Sequence, residues 1–287
     1  MKIFLTGING QVGHELYERL KDTHEIIAPT REQLDLTNLS KVTDYLAQTS
    51  PQLIINAAAF TAVDKAETEI EQAFKLNTHL PETLARFAGA HGIRLVHFST
   101  DYVYPGDGQQ PRDEKAITNP LSVYGKSKLA GDIAVQKQCP NAVIFRTAWV
   151  YSYRGKNFLN TMLKLAQERE TLSIVNDQVG SPTSAEVIAD YVLRALQHED
   201  LKGVYHLVTT GYASWHEFAN EIFTQAKQNG LPLAVETVNG IPTSDYPTPA
   251  TRPLNSRLST AKLEQKLGMA LPSWQQALTD TMAKVKG

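Results

Sequence analysis

The sequence predicts an α/β fold, a doubly wound parallel sheet with a smaller lobe built from the C-terminal half. Three observations carry this. Short, nearly continuous apolar runs alternate with helix-length amphipathic segments through the first half. A glycine trio follows the first run at once. The second half is less regular and holds a stretch rich in proline, threonine and asparagine. Strands buried on both faces read as unbroken apolar runs, and strand–helix alternation implies crossover units in a parallel sheet.

The apolar runs lie at 3–5, 26–28, 53–55, 95–98 and 143–145, with helical periodicity over 11–20, 39–48, 73–90 and 123–138. Further along, 174–175 and 204–208 read as strands and 185–197, 215–227 and 272–282 as helices, while 232–253 reads as a loop lining a pocket. The division expected is a cofactor lobe over 1–149 and a mainly substrate-binding lobe over 150–287. That boundary leaves the strands near 174–208 free to return to the first sheet.

Composition excludes several function classes. With 42% hydrophobic and 20% charged residues, the 287-residue chain has the make-up of a globular protein of one large unit or two abutting lobes. Its net charge is −2 and its basic residues are scattered, so no positive stripe for a nucleic-acid partner is expected. Cys139 is the single cysteine, which rules out an intrachain disulfide; it reads as a small loop residue rather than a nucleophile. The apolar run after Met1 is too short for the core of a signal peptide. No stretch approaches the roughly 20 apolar residues of a membrane span. A cytoplasmic protein with no membrane partner is therefore expected.

The glycine loop points to a dinucleotide. Gly7, Gly10 and Gly13 stand as G-x-x-G-x-x-G between the first strand and the first helix. Gly7 permits the tight turn, Gly10 a close approach of backbone to a pyrophosphate, and Gly13 the packing of helix on sheet. The helix start then offers free amides to phosphate, with Gln11 and Val12 in its first turn. A plain tight turn would use the same glycines, but the place of the trio in a strand–loop–helix unit favours a Rossmann-type cofactor site. The second strand ends without the acid that would bind a ribose 2′-hydroxyl; Arg31 stands there instead. Arg31 reads either as a 2′-phosphate partner, favouring NADPH over NADH, or as a solvated surface cation. Asp35 and Leu36 lie where the chain would pass the adenine. Ala57, Ala58 and Ala59 leave room for cofactor against backbone, or for close helix packing.

Tyr124 and Lys128 form a Tyr-x-x-x-Lys pair. Positions four apart share a helix face, so the ammonium is expected beside the phenol, lowering its pKa toward the working range. Tyr124 then protonates an alkoxide formed by hydride delivery, and Lys128 also holds the nicotinamide ribose. A second copy, Tyr17 and Lys21, reads as a solvated helix face. Context separates the two: Thr100 closes the fourth strand upstream of Tyr124, and ligands of open α/β sheets bind at the carboxyl ends of strands.

With these residues in place, the chain resembles the dTDP-4-dehydrorhamnose reductase family of the extended short-chain dehydrogenase superfamily. The resemblance rests on TGINGQVG at 6–13, NAAAFTAVDKAE at 56–67, STDYVY at 99–104 and YGKSKLAG at 124–131. It continues through FRTAWVY at 145–151, NDQVGSPT at 176–183 and RPLNS at 252–256, and so covers nearly the whole chain in order. It implies an oxidoreductase that reduces the 4-keto group of dTDP-4-dehydro-L-rhamnose with NADPH or NADH, the last step toward dTDP-L-rhamnose. By the same resemblance Tyr124 is the proton donor, Lys128 its partner, and Thr100 orients the keto oxygen. Thr100, Asp101 and Trp149 contact the sugar, Val63 lies near it, and Arg252 meets the diphosphate. Gly10, Gln11, Val12, Asp35, Leu36 and Ala57–59 line the cofactor. Trp149 also fits plain core packing, and Arg252 a surface ion pair. Some members form a homodimer around Mg2+ held by glutamates; Glu15 and Glu186 match two such positions, and Lys284 stands at the third.

The residues leave other readings open. A related nucleotide-sugar epimerase or dehydratase would recycle its hydride. Dehydratases place an acid pair after the strand-end threonine, whereas Asp101 is followed by Tyr102 here, leaving Asp64 or Glu67 to serve elimination. A non-catalytic NADP-binding regulatory subunit would not need the Thr100, Tyr124 and Lys128 set. An unrelated reductase of small ketones leaves the long polar C-terminal part unexplained.

Overall fold

The computed structural model describes residues 1–285. Each of the five apolar runs of the first half becomes a parallel strand: β1 (Lys2–Thr6), β2 (Glu25–Ile27), β3 (Leu53–Asn56), β4 (Arg94–Thr100) and β5 (Val143–Thr147). Helices α1 (Gln11–Leu20), α2 (Leu39–Thr49), α3 (Leu80–His91) and α4 (Val123–Gln138) lie between them. The second half adds α5 (Phe158–Glu168), β6 (Thr171–Val175), α6 (Ala185–Leu196), β7 (Gly203–His206), α7 (Trp215–Gln228), β8 (Thr237–Ile241), α8 (Ala261–Leu267) and α9 (Trp274–Met282).

The main sheet runs β7-β5-β4-β3-β1-β2, with every neighbouring pair parallel. Residues 28–38, where another strand of a dinucleotide-binding half would run, form turns and irregular backbone. The chain therefore passes from β2 directly to β3 on the far side of β1. This places the topological switch point between β1 and β3, where the carboxyl ends open a crevice. Both faces of the sheet are covered, which is why its strands read as unbroken apolar runs. Ile3 and Leu5 pack in one cluster with α1 and α6, while Phe4 between them packs in another with α2 and α3. A separate cluster around Tyr151 and Phe218 holds α5, α7 and α9 together.

Of the two strands the sequence left free, β7 joins the main sheet beside β5, whereas β6 pairs in parallel with β8 in a small sheet of its own. The 232–253 stretch is thus not wholly loop, because β8 lies inside it. Both edges of the main sheet are short. β2 has three residues and carries the Lys2–Glu25 ion pair at 3.4 Å. β7 has four residues, and Lys262 Nζ donates to the Val204 carbonyl at 2.5 Å.

Candidate active site

The crevice begins at the glycine loop. Gly7 adopts φ +72°, and a Cβ on it would lie 2.6 Å from the Ala57 carbonyl carbon. A Cβ on Gly13 would lie 2.1 Å from the Gly7 oxygen, so only hydrogen fits where the helix crosses the loop. The N-terminus of α1 has no side-chain cap, which leaves its amides, including those of Gln11 and Val12, available to an anion. Thr6 Oγ1 donates to Asn56 Oδ1 (2.7 Å) and accepts from the Ala58 amide (3.1 Å), tying the loop to the end of β3. Ala57, Ala58 and Ala59 remain partly open along that end. Arg31 is exposed and forms no ion pair among the described residues. Asp35 is exposed and accepts from the Thr37 amide and hydroxyl, which hold its carboxyl below the usual range. Leu36 packs against the cluster beneath. Two glycines that admit no side chain, an open helix start and an exposed cation beyond β2 together fit a nicotinamide dinucleotide.

β4 delivers Thr100 and α4 delivers Tyr124 and Lys128 to the same end of the sheet. The Thr100 hydroxyl neighbours the Tyr124 phenol, donates to Asp101 Oδ1 at 2.9 Å, and accepts from the Tyr102 amide at 3.2 Å. Lys128 is buried, and its Nζ donates to the Phe98 carbonyl at 2.6 Å. Burial lowers its pKa to about 8, with the Asp132 carboxylate opposing that fall. Tyr124 departs from expectation. Burial raises its phenol above the ordinary value, Thr100 opposes the rise, and the charges of Asp101 and Asp132 add to it. The spacing of the motif suggested an ammonium poised to favour phenolate, but burial is the larger effect on the phenol, and the Lys128 ammonium gives one of its three donors to the Phe98 carbonyl. The phenol stays neutral, the form that can give a proton.

Beneath this pair lies a buried polar chain. Asp132, one turn beyond Lys128, pairs with Arg146 of β5 at 3.0 Å. Arg146 Nη1 donates to the Tyr104 hydroxyl (2.8 Å), which lies 2.7 Å from His206 Nε2. His206 is kept neutral by burial, its pKa lowered to about 3, and its Nδ1 lies 3.0 Å from the Ser259 carbonyl. Nδ1 therefore carries the proton and Nε2 accepts from Tyr104, so each member of the chain has a fixed role.

On the substrate side, Asp101 is buried and its pKa is raised to about 6 by desolvation, with Ser256 and Thr100 opposing. Asp101 Oδ2 and the Ser256 hydroxyl are neighbours without a formed hydrogen bond. Trp149 follows β5, whose Thr147 pairs in register with Thr100. Its φ of +50° is strained for a bulky side chain and costs about 1–3 kcal/mol. Its ring lies parallel to Trp215, 3.5 Å between centroids and 7° between planes, and it also packs, partly buried, on a small cluster of Val103, Tyr104, Ala148, Val208 and Leu258. Val63 opens a four-residue helix on the same rim. Arg252 is already engaged: Nη2 pairs with Asp64 at 2.7 Å and Nη1 donates to the Tyr102 hydroxyl at 3.1 Å. A diphosphate there would have to compete with Asp64. Glu67 Oε1 accepts from the Val123 amide, so neither acid considered for elimination stands free.

Sequence reasoning missed Asn77. The expected helix over 73–90 is interrupted by a π turn at Lys75–His79. Within it Asn77 accepts from the Phe60 amide and donates to the Phe60 carbonyl and to Ser127 Oγ, joining the loop after β3 to the helix of the catalytic pair. Gly131 lets the two helices touch, since a Cβ on it would lie 2.1 Å from the Asn77 oxygen. Gly125, beside Tyr124, has the same role: its Cβ would meet the Tyr102 oxygen at 2.3 Å. The second Tyr-x-x-x-Lys copy is only partly a solvated face. Lys21 pairs with Glu18 at 2.7 Å, while Tyr17 packs against the core of the first face.

Of the carboxylates considered for Mg2+, Glu15 pairs at 2.5 Å with Arg19, which Asp190 shares, and Glu186 pairs with Lys284 at 3.4 Å, while Glu15 Oε1 and Glu186 Oε2 stay buried without a hydrogen-bond partner. Among the described residues no group of three His, Cys, Asp or Glu side chains is placed to hold a metal. No described helix is long and apolar enough to cross a membrane.

Comparison with known proteins bears on this geometry. Residues 1–286 match the family described as RmlD substrate binding domain. The chain is 47% identical over 283 residues to a dTDP-4-dehydrorhamnose reductase of Salmonella typhimurium, covering 96% of this chain and 95% of that one. A solved dTDP-4-dehydrorhamnose reductase from Clostridium acetobutylicum is 38% identical and superposes with a TM-score of 0.93 over 99% of both chains. Another, from Bacillus anthracis in complex with NADP, is 35% identical with a TM-score of 0.92, also over 99% of both.

Proposed function

The chain belongs to the RmlD substrate-binding-domain family, and from that membership we propose that it is an oxidoreductase reducing dTDP-4-dehydrorhamnose with NADPH or NADH. The observation that carries the reading is a neutral phenol, Tyr124, beside the Thr100 hydroxyl and on the helix of Lys128, at the open end of a dinucleotide-binding sheet. When bound, the nicotinamide supplies a hydride to the carbonyl carbon. Tyr124 gives its proton to the carbonyl oxygen as charge develops there, and Thr100 aligns that oxygen by turning its hydroxyl proton from Asp101 toward it. Lys128 holds the cofactor ribose, and its ammonium steadies the phenolate left behind until solvent returns a proton. Asp101 and Trp149 take the sugar, with Val63 at its edge. Arg252 takes the diphosphate by exchanging its hold on Asp64. The glycine loop, Gln11, Val12, Asp35, Leu36 and Ala57–59 line the dinucleotide. The site of action in this reading is the cytoplasm. The working form is a homodimer.

Stoichiometry tests the reading. With limiting NADPH and excess dehydro-sugar, one sugar should be reduced per nicotinamide oxidised. Product far in excess of NADPH consumed would mark a hydride-recycling epimerase or dehydratase. Cofactor choice is tested at Arg31: Arg31→Ala should raise KM for NADPH and barely change that for NADH. Equal effects on both would place Arg31 outside the cofactor site.

The pH profile follows from Lys128. Its folded pKa lies near 8, below the ordinary lysine value. The ammonium, and with it kcat, should be fully present well below that pH and lost as pH rises through it. An alkaline limb that first appears near pH 10 would show that Lys128 is not the titrating group.

A further inference from the structure

We propose that Trp215 is a positioning residue of the sugar site: its stacked indole holds Trp149 as a wall of the pocket that receives the sugar of the dTDP substrate. The proposal deepens the reductase reading and rests on it for the identity of the ligand. Two parallel indoles 3.5 Å apart at 7° form a face-to-face stack, an arrangement aromatic rings adopt less readily than offset or edge contacts. Surroundings must therefore impose it, and they do so from both sides.

Trp215 is fixed first. It opens α7 behind a capping box in which Ser214 and Glu217 bond reciprocally. Its Nε1 donates to Gln178 Oε1 at 3.1 Å, and Gln178 Nε2 donates in turn to Thr243 Oγ1 at 3.1 Å. Phe158 leans on it at 4.5 Å. Trp149 is then confined between this indole and Gly180, where a Cβ would lie 2.9 Å from Trp149 Cε2 and 3.0 Å from Ser256 Cβ. Ser256 in turn neighbours Asp101, whose Oδ1 accepts from Thr100. The series from Trp215 through Trp149, Gly180, Ser256 and Asp101 thus reaches the hydroxyl beside the Tyr124 phenol. A left-handed backbone at tryptophan persists only where its surroundings over-determine it. Both indoles also keep part of their surface open, which a residue serving only the core would not need.

The test combines spectroscopy, kinetics and binding. Stacked indoles should give an exciton couplet in circular dichroism. The third tryptophan, Trp274, instead meets Phe218 edge-on at 6.0 Å. Trp215→Leu should abolish the couplet and raise KM for the dehydro-sugar about tenfold, the scale of one aromatic contact. It should leave kcat and KM for NADPH within about threefold. Trp215→Phe, which keeps an aromatic face, should recover most of the sugar KM, and Gly180→Ala, which pushes the opposite edge of Trp149, should raise it. An unchanged sugar KM in Trp215→Leu with the couplet gone would overturn the proposal. So would a parallel loss of kcat, both KM values and thermal midpoint, which would mark general packing. Calorimetry with dTDP-L-rhamnose separates this from the reductase reading. If the wild type does not reduce the dehydro-sugar yet binds the sugar nucleotide, and Trp215→Leu weakens that binding, the reductase reading fails and the positioning role stands. If the wild type binds no sugar nucleotide, both fall.

Discussion

Tyr124→Phe is expected to lower kcat for the dehydro-sugar by about 10²-fold or more, since a positioned general acid contributes roughly that much. The phenol is neutral in the folded protein, because burial opposes its ionisation and Asp101 and Asp132 add negative charge nearby. It is thus charged with a proton at any ordinary pH, as reduction of a ketone requires. Phenylalanine keeps the ring, and with it the edge contact to Tyr102 at 5.5 Å. The fold and KM for NADPH should therefore hardly change. Single-turnover kinetics under saturating cofactor isolates the chemical step. Tyr17→Phe is the internal comparison and should be nearly neutral. Turnover of Tyr124→Phe at the wild-type rate would remove Tyr124 from the chemistry.

Arg146→Met should destabilise the fold by about 3–5 kcal/mol, the usual cost of stripping one partner from a buried ion pair. Asp132 has no exposed side chain and Arg146 only 5%, so solvent cannot replace the lost partner. Asp132 Oδ1 is already without a hydrogen bond, and the Tyr104 hydroxyl would lose a donor as well. Adding Asp132→Leu to the variant removes the stranded carboxylate and should recover most of the loss. Urea unfolding of the single and double variants measures both, through the midpoint at constant slope. A cost below about 1 kcal/mol for Arg146→Met would mean that Asp132 sits protonated in the fold, where desolvation already pushes it.

The legible parts of the molecule are those governed by period and spacing. β1 to β5 were visible because strands covered on both faces show unbroken apolar runs, and Gly7 and Gly13 because no side chain fits there. The helix α5 was overlooked although Asn157 caps it in the expected way, accepting from the Asn160 amide. Its apolar face reads no differently from the loops around it until α7 and α9 close over it. β8 was hidden by Pro232 before it and by Pro242 and Thr243 after it. The π turn at Asn77 lies inside a good helical pattern, and one extra residue per turn leaves no mark on composition. The protonation of Tyr124 could not be read from a four-residue spacing, because spacing does not report what else the lysine binds. Arg252 was visible as a cation in a polar loop, but its bond to Asp64 spans 188 positions of sequence.

The short flanks of the main sheet bear on how copies of this chain can meet. An unpaired strand flank is a template on which a second chain can add by backbone hydrogen bonding, the route to runaway aggregation. Here one flank offers three residues with an ion pair across them, and the other offers four with a lysine already seated on a carbonyl. Neither gives an incoming strand enough register to gain a hold. Ordered self-association is thereby steered to side-chain surfaces, where it can stop at a closed pair rather than extend into a fibre.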